Sequence, residues 1–308
     1  QKRARRLTSA LVGLGMHQTA TLPFVNQADL ARLGWTDTDR LLTVSNPLRE
    51  EEATMRPTML PGLLNVARYN FSYGMSEVAL FEMARVFLAE PWSEEPRLPE
   101  QKATLAWVIV GGFGPRLLGE EPPMADAVLS ISVLRHIMSV LGHVEFAVEP
   151  AELPGYHPGR SASVHLGGST IGHVGELSPR ANREFDLPSR VAIGELDLQP
   201  LLARVDPVIG TSPSVFPHVD FDLSFLLPAD LAVGRLIGAT TEAGGDLVES
   251  ARVFDVFRGP GVDEGSLAVA IRYRLRSADH TLTNEEVSPV RQSMISAAEQ
   301  HGARLRGA

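Results

Sequence analysis

The stretch Val219-Asp220-Phe221-Asp222-Leu223-Ser224-Phe225-Leu226-Leu227 alternates with the two-residue period of a strand that buries one face. Val219, Phe221, Leu223, Phe225 and Leu227 are expected to face a core, and Asp220, Asp222 and Ser224 an open surface. Downstream, residues 231–243 read as a helix closed by Gly244-Gly245. Strands over 247–258 and 266–276 are joined by Gly259-Pro260-Gly261. A helix over about 284–301 and a last strand near 303–306 complete the order β-α-β-β-α-β, the ferredoxin-like split motif. Thr283 and Glu286 have capping-box spacing for that helix, and Ser288-Pro289 offers a competing start.

Upstream, residues 208–217 hold Gly210, Pro213 and Pro217 with little apolar periodicity, which predicts a boundary between domains 1–207 and 208–308. The 308 residues are enough for two cores at roughly 150 residues per domain. Residues 2–14 read as a basic amphipathic helix with Leu7, Ala10, Leu11 and Leu14 on one stripe. Pro61 opens a helix that carries Leu63, Leu64, Ala67 and Phe71 on one face. A strand follows over 78–87, then a surface connection marked by Pro91, Pro96 and Pro99. Residues 104–111 are apolar on both faces, as in a central strand. Asp126 caps a helix to Gly142 that buries Leu129, Val133, Leu134, Ile137, Met138 and Leu141. Short strands over 145–148, 161–166, 170–176 and 191–198 follow, two of them linked by the hairpin signal Gly167-Gly168. Long helices with hairpin-linked strands make the fold class α+β with an antiparallel sheet.

The composition narrows the chemistry. With 28 basic and 37 acidic residues the net charge is −9, which argues against a general nucleic-acid coat and leaves room for a local basic stripe. Basic residues Lys2, Arg3, Arg5 and Arg6 read as an RNA contact or as a solvated helix face. Cysteine is absent, so there is no disulfide, thiolate metal site or cysteine nucleophile, as suits a cytosolic protein. No apolar run approaches membrane length. Gln1 in place of Met, with no signal-peptide pattern after it, is expected to mark a fragment of a longer chain. The nine histidines are scattered; His157 and His165 read as surface and hairpin residues, and no metal site is expected. Adjacent Glu50, Glu51 and Glu52 read as a solvated turn. No phosphate-binding loop and no nucleophile elbow is present.

The open face of the last domain is the informative constellation. On strand 266–276, Leu267, Val269, Ile271, Tyr273 and Leu275 point inward, which leaves Ala268, Ala270, Arg272, Arg274 and Arg276 outward. On strand 247–258, Val248, Phe254 and Val256 are expected in the core, which turns Val253, Asp255 and Phe257 outward. A ring to stack on, a carboxylate for a base edge and arginines for phosphate suit single-stranded RNA. The same residues also read as a salt-bridged sheet face, with Asp220 and Asp222 neutralising the arginines.

Several motifs carry a family resemblance. Asn46-Pro47-Leu48, Met59-Leu60-Pro61-Gly62-Leu63-Leu64, Leu80-Phe81-Glu82 and Val86-Phe87 resemble the class II catalytic-like module of the β subunit of bacterial phenylalanyl-tRNA synthetase. Tyr156-His157-Pro158-Gly159-Arg160-Ser161-Ala162 and Gly172-His173-Val174-Gly175-Glu176-Leu177 resemble its later motifs, in the same order. Phe216-Pro217-His218-Val219, Phe254-Asp255-Val256-Phe257-Arg258-Gly259, Ser266-Leu267-Ala268, Thr281-Leu282-Thr283 and Gly302-Ala303-Arg304-Leu305-Arg306 resemble its ferredoxin-fold anticodon-binding domain.

The resemblance implies the C-terminal portion of that β subunit, with the editing and other N-terminal modules lying before Gln1. It implies a chain without catalytic residues of its own, docked on an α subunit that activates phenylalanine with ATP and magnesium. The assembly would be a cytoplasmic heterotetramer of two α and two β subunits that binds the tRNA for phenylalanine. Residues 60–64 and 80–87 are expected near the α-subunit interface. The sequence agrees on separate grounds: it has no Arg-x-Glu pair on a predicted strand for an ATP α-phosphate, and Phe81 and Arg85 are separated by three residues, Glu82, Met83 and Ala84. The anticodon contacts implied are Asp255, Phe257, Arg258, Ser266, Arg272 and Arg274. Asp255 would accept from a guanine's Watson–Crick edge while Phe257 stacks on it. Phe257 stands where the family has tyrosine, and Asp220 and Asp222 stand where arginines are frequent, which puts phosphate attraction on that strand in doubt.

Overall fold

The computed structural model describes all residues except 48, 90–98, 116–117, 144, 189, 204–213, 230 and 307–308. Two compact units divide it, Gln1–Val208 and Ile209–Ala308. Most of the expected linker, Pro91, Pro96 and residue 48 of the Asn46 motif lie outside the described residues.

In the first unit, helix α1 (Lys2–Gly13) leads to strand β1 (His17–Gln18), and strands β2 (Phe24–Val25) and β3 (Thr54–Met55) form a small ribbon around helix α2 (Gln27–Leu33). Helix α3 (Leu60–Ser72) precedes the long antiparallel pair β4 (Val78–Leu88) and β5 (Glu100–Val110). Helix α4 (Ala127–Leu141), strands β6 (Ala147–Pro150), β7 (Tyr156–Leu166) and β8 (Ser169–Leu177), helix α5 (Pro179–Glu184), strand β9 (Val191–Asp197) and helix α6 (Leu198–Leu202) follow. Seven strands pair in the order β1-β4-β5-β9-β8-β7-β6. All neighbours are antiparallel except β1 and β4. Among the described residues no helix is long and apolar enough to cross a membrane.

The sheet is covered on both faces. Leu7 and Leu11 of α1 and Val133, Leu134 and Ile137 of α4 pack on Phe81, Trp107 and Val174. Leu63, Leu64 and Ala67 of α3 pack on Leu80, Val108 and Ile193 across the other face. Residues 105–110 are therefore buried on both sides. Asp126 accepts from Leu129 N at 2.7 Å at the start of α4, and Gly142 ends the helix in the left-handed conformation, φ 77°. The six apolar residues expected inside α4 are buried. Arg3 of the basic head neither floats in solvent nor waits for RNA. Its guanidinium donates to Leu141 O at 2.7 Å and Leu201 O at 3.2 Å, the C-terminal carbonyls of α4 and α6.

Helix α2 has no counterpart in the sequence reading, because seven residues are too short for a periodic signal. The strand expected over 145–148 lies two residues later, as β6.

The second unit comprises β10 (Val219–Pro228), α7 (Val233–Gly244), β11 (Val248–Phe257), β12 (Ser266–Leu275), α8 (Asn284–Gln300) and β13 (Arg304–Leu305). Its antiparallel sheet runs β11-β12-β10-β13, with α7 and α8 on one face. Leu223, Phe225, Val269, Ile271 and Tyr273 meet Leu236 of α7 and Met294, Ile295 and Ala298 of α8. The capping box wins over the Pro289 start. Glu286 accepts from Thr283 N and Oγ1, both at 2.9 Å, and contacts His280 Nε2 at 2.8 Å. These partners pull its carboxyl down to about 2, the Thr283 N–H first. Pro289 sits inside α8. The carbonyl it leaves unpaired belongs to exposed Glu285, where water can take the bond.

Candidate nucleic-acid interface

The face of the second sheet away from α7 and α8 is built from register. Cross-strand rows on it are Asp220–Arg274–Ser250, Asp222–Arg272–Arg252, Ser224–Ala270–Asp255 and Leu226–Ala268–Phe257. Asp255 and Phe257 thus stand side by side over two alanines, which leave a shallow floor beside them. Arg258 follows directly and is exposed, and Ser266 faces Pro228 at the far end of the same face. Among the described residues Asp255 and Arg258 make no ion pair or hydrogen bond with another side chain.

Arg272 and Arg274 are committed. Arg272 Nε and Nη2 donate to the two Asp222 oxygens, both at 2.8 Å, and Arg274 grips Asp220 in the same way. These bonds hold both carboxyls below their usual range. Arg276 pairs with Glu249 at 2.8 Å and donates to Phe216 O at 2.8 Å. The salt-bridged reading of these three arginines is the observed arrangement in the free chain.

The middle of β11 inverts the expected facing. Bulges fall between Val248 and Ser250 and between Val253 and Asp255, leaving Glu249 and Phe254 as extra residues. Each bulge flips the alternation, so Val248, Asp255 and Phe257 keep the expected sides, while Val256, expected in the core, is more than half exposed near the end of the strand. Between the bulges Val253 packs toward the core and Arg252 faces out. Phe254 is half exposed, with the Arg272 guanidinium 5.2 Å from its ring centroid, so it lies on the open face and not in the core. Arg252 and Phe254 are the residues sequence reasoning missed, because a bulge leaves no mark in an alternating pattern. Arg304, opposite Leu226, adds a cation to the same face.

Gly259 explains the end of the Phe-Asp-x-aromatic-Arg-Gly motif. A Cβ there would lie 2.9 Å from Phe257 Cζ, so only glycine lets the loop close over the tip of the ring.

Across the first unit's α3 face, Glu82, Ala106, Glu195 and His173 lie in one row on four neighbouring strands, with Glu82 buried and Glu195 and His173 half-buried. Arg56 pairs with Glu82 at 3.1 Å, donates to Arg85 O at 2.9 Å and to Thr21 Oγ1 at 2.8 Å. Thr21 in turn donates to Glu82 at 2.7 Å. Glu195 accepts from Thr58 Oγ1 at 2.6 Å and from Met59 N at 3.2 Å, yet burial dominates and raises its carboxyl to about 7. The arginine of this face is engaged by its own neighbours. Glu176, also buried, accepts from Arg160, Arg190 and Ala127 N, tying the later motifs to the start of α4. Among the described residues no group of three potential ligands could hold a metal ion. Leu60, Leu63, Leu64, Leu80 and Phe81 are buried within the first unit. Exposed apolar side chains stand elsewhere: Val12, Tyr69, Tyr73 and Met75. A cleft of about 730 Å³ is lined by Leu14, His17, Asn70, Met75 and Phe113.

A class II synthetase-like sheet followed by a ferredoxin-like domain is the class these features define. A pyrrolysyl tRNA synthetase from Desulfitobacterium hafniense shares the fold at 15% identity, with a TM-score of 0.50 over 65% of this chain and 64% of its own. The family model described as phenylalanyl tRNA synthetase beta chain CLM domain matches residues 1–198, and that of the ferredoxin-fold anticodon binding domain matches 214–306. The chain belongs to the phenylalanyl-tRNA synthetase β-chain family. It is 34% identical to the phenylalanine–tRNA ligase beta subunit of Symbiobacterium thermophilum over 99% of its length and 34% of that relative. It is 32% identical to the Thermobifida fusca subunit over 100% of its length and 40% of that relative. The chain therefore spans about a third to two fifths of the length of these relatives.

Proposed function

We propose that this chain is the part of a phenylalanine–tRNA ligase β subunit that docks on the α subunit and reads the anticodon of the tRNA for phenylalanine. One observation carries the reading: an unpaired carboxylate, Asp255, and an exposed ring, Phe257, stand side by side on the open face of an anticodon-binding fold. Asp255 accepts from the Watson–Crick edge of the first anticodon guanine while Phe257 stacks on it. Arg258 and Ser266 flank that base. Arg272 and Arg274 each spend two of five guanidinium donors on an aspartate, which leaves three for a phosphate with little net charge.

The first unit acts as scaffold. Its exposed Val12, Tyr69, Tyr73 and Met75 offer the α subunit an apolar surface, in a cytoplasmic assembly of two α and two β subunits. ATP and magnesium belong to the α subunit in this reading. The three aspartate- and glutamate-paired arginines favour one other reading, a scaffold module whose open face meets protein and no RNA.

Size-exclusion chromatography with the α subunit tests the proposal, together with phenylalanine-dependent pyrophosphate exchange into ATP. Co-elution, and exchange that appears only with the α subunit, is expected. A chain that never shifts on the column, or exchanges alone, overturns it.

A further inference from the structure

We propose that Phe254 is a stacking platform for a second unpaired nucleobase, next to the one held by Asp255 and Phe257. The inference rests on the anticodon reading above. The bulge in β11 lifts Phe254 out of the core alternation and sets its ring, half exposed, on the open face. A large apolar ring left in water on a sheet face is costly unless something covers it. One part of its surroundings is fixed: Arg272 lies 5.2 Å from the ring centroid, and Asp222 holds that guanidinium by two bonds of 2.8 Å. The aspartate clamp therefore does a second job, bracing the ring in one orientation, and leaves the rest of the ring for a ligand.

An unpaired base fits better than other ligands because of what flanks the ring. Phe254 and Phe257 are three residues apart, a span of at most about 10 Å along a strand. Neighbouring unstacked nucleotides of one RNA strand can bridge that distance. Arg252, opposite Arg272 on the same face, makes no ion pair among the described residues, and Arg258 lies just beyond Phe257. Two free cations bracket two rings, which matches a backbone running along β11 with its bases turned onto the sheet.

The test uses the full chain and two guanine-first anticodon stem-loops, each with 2-aminopurine on one side of the guanine. Wild type should quench one of the two probes. Phe254→Leu keeps the apolar bulk and should abolish that quench and weaken binding about 5- to 150-fold, the loss of one base–aromatic stack. Phe254→Tyr should restore both, which a merely structural role would not require. Wild-type binding and quenching by Phe254→Leu, with binding lost in Phe257→Ala, overturns this platform and leaves the anticodon reading standing. Unchanged binding in both variants overturns the anticodon reading itself.

Discussion

Phe257 owes its usefulness to a residue with no side chain. Gly259 lets the loop lie against the ring tip, and Ala268 and Ala270 keep the sheet beneath it low, so the ring is held and still half open. Phe257→Ala should weaken stem-loop binding by about 1–3 kcal/mol, read by fluorescence titration with the fold checked by circular dichroism. The position of Asp255 and Phe257 was legible in the sequence because two bulges cancel by the time β11 reaches them. Phe254 was not, since it is itself the extra residue. Glu195 carries a pH signature of a different kind. Burial raises its carboxyl to about 7, so the folded chain keeps a proton that the unfolded chain releases near 4.3. Its stability contribution is complete below the unfolded value and is lost as pH rises through about 7. Denaturation at pH 5 and pH 8 should show wild type losing stability on the order of 3 kcal/mol more than Glu195→Gln across that window. Parallel losses would mean the carboxylate is ionised throughout.

At the scale of elements, β5, β9 and α4 lock together through one contact. Trp107 lies against Gly194 with no room for a Cβ, and its Nε1 donates to Ser130 Oγ at 3.2 Å, which donates to Ile193 O at 2.6 Å. Gly194→Ala should destabilise the first unit by about 1–3 kcal/mol or more, because the ring is fully buried and cannot yield. A melting temperature within a degree of wild type would refute it. Elements with strong ends were legible: Asp126 and Gly142 fix α4, and Gly167-Gly168, both at positive φ, turn β7 into β8. Helix α2 has end signals too, Asn26 and Gly34, but too few residues between them to show a period. The motif residues 60–64 and 80–87 carry the family resemblance, but a motif does not say which face each residue serves. In the fold Leu60, Leu63, Leu64, Leu80 and Val86 pack in the core between α3 and the sheet, and Phe81 packs on the opposite face.

Across the whole molecule, a net charge of −9 sets the problem for the proposed RNA binding. Acid-clamped arginines add almost nothing to the attraction, so binding should rest on stacking and base-edge contacts and depend weakly on salt. Asp222→Asn should free Arg272 for phosphate and steepen the logarithmic salt slope by about 0.7. A slope that does not move would mean Arg272 stays away from phosphate. That the face is RNA-reading could be argued from the alternation and the motif together; that its arginines are neutralised required the pairing register of β10 and β12. The most direct test of the account is stem-loop discrimination at the first anticodon position. Wild-type chain should prefer guanine over adenine, and Asp255→Ala should lose most of that preference while still binding both. Equal binding of the two stem-loops by wild type, or a preference that survives Asp255→Ala intact, would contradict it.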